Sequence, residues 1–207
     1  MRKNGINKIE HLPDVQYTGE EGANVNYIGI ETCSLTNGEG IRVVLWVTGC
    51  NHHCLNCQNP DTWDPSAGQL YNGDAYLKIK EAVSREGRDL ISGLTLSGGD
   101  PMYPANRPAI LSLCRMFRTD FGDTKTIWLY TGYTMEDIMD DPILDLVDVV
   151  VDGEYIEEQR NVNRQWCGSE NQRVWRKKNG RWEADPPKYD TDNYTARTCE
   201  CGTKMDV

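Results

Sequence analysis

Three cysteines stand in one short stretch, Cys50-Asn51-His52-His53-Cys54-Leu55-Asn56-Cys57. Their C-x3-C-x2-C spacing supplies three thiolates, one fewer than a closed structural zinc site or an ordinary four-iron cluster uses. Thiolates are soft donors that suit both iron–sulfur clusters and zinc. Two readings follow from the loop itself. One is a cluster with an iron left open for a reactant. The other is half of a zinc site, completed by His52 or His53, or by the distant Cys199 and Cys201. Otherwise His52 and His53 read as plain loop residues.

A second element is Ser97-Gly98-Gly99-Asp100-Pro101. Paired glycines let a backbone come close to a ligand, and Asp100 offers a carboxylate to a ligand's ammonium group. The plain alternative is a strand-to-helix turn with Asp100 as a cap.

The elements around these motifs must position them. Ile41-Arg42-Val43-Val44-Leu45-Trp46-Val47-Thr48 is rich in β-branched and aromatic residues and stops at Gly49, as a buried strand does. The cysteine loop therefore leaves the C-terminal end of a strand. Residues 72–87 and 105–118 carry apolar side chains at helical spacing. Residues 93–96, 126–130 and part of 145–153 read as further strands, and ordered structure begins near Tyr27. Strands alternating with helices predict an α/β fold, a parallel sheet with crossover helices. Ligands of such sheets bind beyond the carboxyl ends of the strands. The cysteine loop, the Gly98-Gly99-Asp100 turn, Thr131-Gly132 and Asp152-Gly153 all fall on that rim. Asp152 can face the site or cap a turn.

Three segments are expected: a polar N-terminal extension over 1–25, a folded domain over 26–176, and a polar C-terminal extension over 177–207 holding Cys199 and Cys201. Of the 207 residues, 38% are hydrophobic, which agrees with solvated ends. No apolar run approaches the ~20 residues of a membrane helix, so no membrane association is expected. The net charge of −10 repels a polyanion and argues against nucleic-acid binding. The late basic run Arg173, Arg176, Lys177, Lys178 and Arg181 reads as a solvated face. The basic residues Arg2 and Lys3 are followed by no apolar run, so a secretory signal is not expected and the eight cysteines are assigned to a reducing cytoplasm. Cys33, Cys114 and Cys167 read as simple thiols.

Taken together the motifs resemble the radical S-adenosylmethionine (SAM) enzymes. More narrowly, the chain resembles the anaerobic ribonucleoside-triphosphate reductase activating proteins. The residues that carry the narrower likeness run in order through residues 26–175. They include Asn37-Gly38-Glu39-Gly40-Ile41-Arg42, Val47-Thr48-Gly49-Cys50, Asn59-Pro60-Asp61-Thr62-Trp63, Leu94-Thr95-Leu96-Ser97-Gly98-Gly99-Asp100-Pro101, Trp128-Leu129-Tyr130-Thr131-Gly132-Tyr133, Val147-Asp148-Val149-Val150-Val151-Asp152-Gly153 and Gly168-Ser169-Glu170-Asn171-Gln172-Arg173. The resemblance implies a partial (β/α) barrel with its cluster at the C-terminal ends of the strands. It implies a [4Fe–4S] cluster on Cys50, Cys54 and Cys57, with SAM at the open iron. The backbone of Asn56, Cys57 and Gln58 would meet the adenine, Gly98, Gly99 and Asp100 the methionine end, and Thr131 and Gly132 would add contacts. No catalytic residue is implied beyond these ligands.

The implied reaction is reductive cleavage of SAM, followed by removal of a hydrogen atom from a glycine of the large reductase subunit. That subunit and an electron donor such as a flavodoxin or ferredoxin are the implied partners. Two positions depart from the pattern. Ser34 stands where many members carry Asp, and Asn56 stands where many radical SAM enzymes carry an aromatic residue. The rival readings are another radical SAM enzyme, serving a different glycyl-radical enzyme or a small molecule, and a zinc-stabilised interaction module.

Overall fold

The computed structural model describes residues 24–84 and 90–190. Its strands are β1 (Asn26–Ser34), β2 (Ile41–Val47), β3 (Gln69–Leu70), β4 (Ile91–Gly98), β5 (Thr126–Tyr130), β6 (Val149–Asp152), β7 (Arg173–Lys178) and β8 (Arg181–Ala184). Its α-helices are α1 (Gly73–Ser84), α2 (Arg107–Phe121) and the short α3 (Met135–Ile138). Among the described residues, eight strands form one mixed sheet in the order β3-β1-β2-β4-β5-β6-β7-β8, with β3 and β8 at its ends, and the sheet is not closed.

The centre of that sheet is the α/β unit that the apolar runs predict. β2, β4, β5 and β6 are parallel neighbours, and α1 and α2 lie in the β2–β4 and β4–β5 crossovers. Parallel strands are covered on both faces, which is why these runs are almost continuously apolar. One face carries Val43, Leu45, Leu94, Leu96, Ile127, Leu129 and Val150. It packs with Ile79 and Val83 of α1 and Ile110, Leu113 and Phe117 of α2 in one cluster. The side chains between them point the other way. There Trp128, Val149 and Val151 meet Cys167, Val174 and Trp166.

The outer strands depart from the expectation of a parallel sheet. β1 and β3 are antiparallel on one side, and β7 and β8 are antiparallel on the other. The boundary expected after residue 176 falls inside β7, and residues 181–184 of the expected extension form the edge strand β8. The run Arg-Trp-Glu-Ala is too short and too polar to announce a strand. It pairs because β7 presents an open backbone edge. Cations and indoles alternate along the layer beneath: the Arg42 guanidinium lies 5.5 Å from the Trp128 ring, that of Arg176 lies 5.3 Å from Trp128 and 5.5 Å from Trp166, and Lys188 lies 5.5 Å from Trp166. Such contacts each contribute on the order of 1 kcal/mol, and they hold Trp166 and Lys188 against the sheet.

Four of the five residues of the late basic run have partners within the fold, and Arg181 is exposed. Arg173 pairs with Glu136 and Asp152, Arg176 with Glu39 and Asp185, and Lys178 with Glu183. Lys177 donates to the carbonyls of Leu144 and Asp145. Among the described residues no helix is long and apolar enough to cross a membrane. The expected extension over 1–25 lies outside the described residues except for Asn24 and Val25, and so do Cys199 and Cys201.

Candidate functional site

Because β2, β4, β5 and β6 run the same way, their C-terminal ends share one rim. Val47 stands opposite Gly98, and Tyr130 opposite Val151. The four turn signals therefore gather on one side of the sheet.

The cysteine loop rises from the end of β2. Its base is stitched to the next turn, with the Gly49 N–H donating to the Thr62 carbonyl at 2.8 Å and that of Cys50 to Trp63 at 3.1 Å. Two non-glycine residues, His53 (φ 49°) and Asn56 (φ 54°), are left-handed, uncommon outside glycine. They reverse the chain between the cysteines. The Cys57 N–H closes a turn on the Cys54 carbonyl at 3.1 Å. The Asn59 N–H donates to the Cys57 sulfur at 3.4 Å. All three cysteines are free and partly exposed, and Asn56 and Gln58 are exposed. His53 packs edge-on to Trp63.

Burial pushes the Cys50 thiol up to about 11, with the nearby Asp100 charge adding to it. Burial raises Cys54 as well, with Glu154 adding. A bound cationic metal centre reverses this preference and deprotonates its thiols. Among the described residues no three His, Cys, Asp or Glu side chains are gathered to hold a single metal ion.

The Gly98-Gly99-Asp100 turn is woven into the base of that loop. The Gly99 N–H donates to Val47 and that of Asp100 to Gly49, each at 2.8 Å. A Cβ at residue 99 would stand 2.7 Å from the Gly49 carbonyl oxygen and 2.8 Å from that of Thr62. Glycine is therefore required by close backbone approach, before any ligand is considered. Asp100 is 1% exposed, and its carboxylate is turned into the protein. One oxygen accepts from the Thr131 hydroxyl (3.1 Å), the Gly132 N–H (2.9 Å) and His52 Nε2 (2.9 Å), and the other from the Met102 N–H (2.8 Å). The carboxylate offered on sequence grounds to a ligand's ammonium is thus met by four donors of its own chain.

Thr131 and Gly132 consequently belong to the same knot. Gly132 is small because His52 lies over it: an added Cβ would come within 2.5–2.8 Å of three ring atoms. Gly132→Ala is expected to displace the His52 ring, leaving far-UV circular dichroism unchanged while broadening the His52 signals in NMR of the apoprotein. Unmoved His52 resonances would count against this packing.

His52 is the residue that sequence reading missed. Nδ1 faces Glu154 at 2.8 Å while Nε2 faces Asp100, and the ring stands edge-on to Tyr133 with centroids 4.7 Å apart. The Asp100 hydrogen bond, with that of Glu154, raises its pKa against the opposing effect of burial. Its position midway between Cys50 and Cys54 was the only available signal, and it does not separate a buried link from a loop residue.

Beside the ring lies a cavity of about 780 Å³, lined by Asn51, His52, Arg107, Tyr133, Glu154 and Arg173 among others. The Asn51 side-chain oxygen accepts from the Tyr133 hydroxyl at 3.1 Å. Asp152 takes the capping role: it is fully buried, accepts the Met135 N–H at 2.7 Å at the start of α3, and pairs with Arg173. Cys114 and Cys167 are free core thiols, and burial pushes Cys114 up to about 12. Cys33 is disulfide-bonded and not the simple thiol expected.

Comparison with known proteins supports an iron–sulfur assignment. Residues 36–175 match a family model described as a 4Fe-4S single cluster domain. A protein of Enterobacteria phage T4 is 44% identical over 161 residues, spanning 78% of this chain and 100% of the relative. One from Vibrio cholerae is 42% identical over 154 residues, 73% of this chain and 98% of the relative. One from Escherichia coli K12 is 34% identical over 152 residues, 72% and 97%. All three relatives carry the name anaerobic ribonucleoside-triphosphate reductase-activating protein.

Proposed function

The chain belongs to the family of anaerobic ribonucleoside-triphosphate reductase-activating proteins, and on that premise we propose that it activates such a reductase by generating a glycyl radical on its large subunit. Cys50, Cys54 and Cys57 would hold a [4Fe–4S] cluster, with SAM bound beside it at the same rim. Once bound and reduced by the electron donor, the pair would supply one-electron reductive cleavage of SAM, the chemistry needed to take a hydrogen atom from the reductase glycine. The protein's task is to hold these groups and keep out water and oxygen. The finer assignment of the fold is a partial (β/α) barrel, whose open side admits a protein substrate. Residues 26–176 carry the cofactors, and the partners are the large subunit and a flavodoxin- or ferredoxin-like donor in the cytoplasm.

The observation that carries this reading is three free thiols on one loop, at the rim shared by the Gly98–Asp100 and Thr131–Gly132 turns. The donor set fits a cluster. A single zinc ion draws its sulfurs to about 2.3 Å, whereas a four-iron cluster takes one thiolate per iron and lets them stand apart. The Asn59 N–H on the Cys57 sulfur is the kind of donor that tunes cluster potential. Since the Asp100 carboxylate and the N–H groups of Gly99 and Asp100 are engaged inside the protein, the methionine end meets the Gly98-Gly99-Asp100 turn at its remaining backbone groups. Thr131 and Gly132 hold that backbone through the Asp100 carboxylate. With Asn56 in place of an aromatic residue, the adenine rests on the backbone of Asn56, Cys57 and Gln58.

The test is anaerobic reconstitution with iron and sulfide, then EPR of the reduced protein with and without SAM. A [4Fe–4S]⁺ signal that shifts on addition of SAM is expected, and a glycyl radical signal once the reductase is present. One tightly bound zinc and no cluster signal would overturn the reading.

A further inference from the structure

We propose that His52 is a positioning residue that locks the cysteine loop to the Gly98–Asp100 turn, holding whatever binds at the loop in register with whatever binds at the turn. The proposal rests on the cofactor assignment above for its consequence, but on the geometry alone for the lock itself.

The loop and the turn are joined at two levels. The lower is backbone: Gly99 and Asp100 donate to the carbonyls of Val47 and Gly49, at the foot of the loop. Residues 51–57 lie beyond that foot, where the chain twice adopts left-handed conformations and backbone geometry alone holds it weakly. The upper level is His52. Its side chain is 9% exposed although it sits on a loop. Nε2 reaches Asp100, 48 residues away in sequence, and Nδ1 reaches Glu154, 102 residues away. Through the Asp100 carboxylate the same ring is joined to the Thr131 hydroxyl and the Gly132 N–H. Tyr133 closes its other side. One imidazole thus ties the loop to the ends of β4, β5 and β6. Because His52 is two residues from both Cys50 and Cys54, a shift of its ring moves both thiols relative to the turn. A residue of this kind acts through the groups it orients, as the outer hydrogen-bond partners of metal ligands do, and loss of such a partner typically costs ~10–100-fold in affinity or activity.

The variants are His52→Ala, which removes the lock, His52→Gln, which keeps one N–H donor toward Asp100, and Glu154→Gln. Two readouts are needed. The first is hydrogen exchange of the apoprotein, which needs no cofactor. In His52→Ala, amides of residues 51–57 and of Gly132 are expected to exchange faster together, while those of β2 keep their protection. The second is the SAM concentration that gives half of the EPR change in reconstituted protein. It is expected to rise roughly tenfold in His52→Ala, with iron content unchanged, and to recover in part in His52→Gln.

Exchange and half-saturating SAM both unchanged in His52→Ala would overturn the proposal. If His52→Ala does not fold, His52→Gln and Glu154→Gln decide: both readouts must move in each, by less, and wild-type behaviour in both variants overturns the lock. If wild-type protein shows no response to SAM, the cofactor assignment fails, while the exchange experiment still decides whether His52 locks the loop.

Discussion

Cys54→Ala is expected to come out of anaerobic reconstitution with cluster iron lost and SAM cleavage at background. The substitution leaves two of the three proposed ligands, Cys50 and Cys57, and removes the middle one. The local fold does not depend on its sulfur. The turn at this point is made by backbone, the Cys57 N–H on the Cys54 carbonyl, and alanine retains that carbonyl. The thiol is only partly buried, so its loss opens no large cavity. The far-UV spectrum and thermal midpoint of the apoprotein should therefore match wild type, which separates loss of a ligand from loss of the fold. Retained SAM cleavage would show that the ligands lie elsewhere, with Cys199 and Cys201 the first to replace.

The second large effect is on stability and comes from the opposite end of the strands. Arg42→Met is expected to cost about 3 kcal/mol or more, read as a lowered urea midpoint with unchanged slope. Arg42 is fully buried, yet the described structure gives its guanidinium no carboxylate. It donates instead to the Thr95 hydroxyl (2.9 Å), the Thr126 hydroxyl (2.7 Å) and the carbonyls of Leu94 (2.5 Å) and Thr126 (2.9 Å), and it lies against Trp128. Burial pushes its pKa down to about 10, which still leaves it cationic at neutral pH.

Methionine fills much of the same volume, so the cost falls mainly on the acceptors left behind. Each unpaired buried acceptor costs about 1–3 kcal/mol, which is large beside a total stability of about 5–15 kcal/mol. Arg42→Lys keeps the charge but has no planar fork to serve acceptors on two strands, and should recover only part of the loss. Because Arg42 sits at the start of β2, far along the strand from Cys50, SAM cleavage per folded molecule should not change. A stability within about 0.5 kcal/mol of wild type, the range of ordinary surface substitutions, would show that the threonines and carbonyls find other partners.

Arg42 and His52 show where sequence reading stops. Gly40-Ile41-Arg42 belonged to the motif set, but nothing in the run says that the guanidinium is buried beneath Trp128 and spans β4 and β5. The strands themselves were legible: β2, β5 and β6 lie within the runs read as strands, β4 extends two residues beyond its run at each end, and α1 and α2 fall within a few residues of the helical runs. Those signals are local, a matter of side-chain period and composition. β7 and β8 were not legible, because Arg173–Lys178 and Arg181–Ala184 are dominated by charge. They become strands by pairing with β6 and with each other. Their cations find carboxylates and indoles that are far away in the chain.

By itself the sequence determined the spacing of the three thiols, the glycines of the turn after β4, the parallel α/β centre and the rim on which these motifs meet. Each of these depends on residues close together in the chain. Only the tertiary structure decided that Asp100 turns inward, that Asp152 caps α3, and that His52 joins the cysteine loop to three strand ends. Those outcomes depend on strand order and register, which bring residues 48 and 102 positions apart to hydrogen-bond distance of one ring. No local pattern encodes the partner of a side chain that is set by how the strands pair.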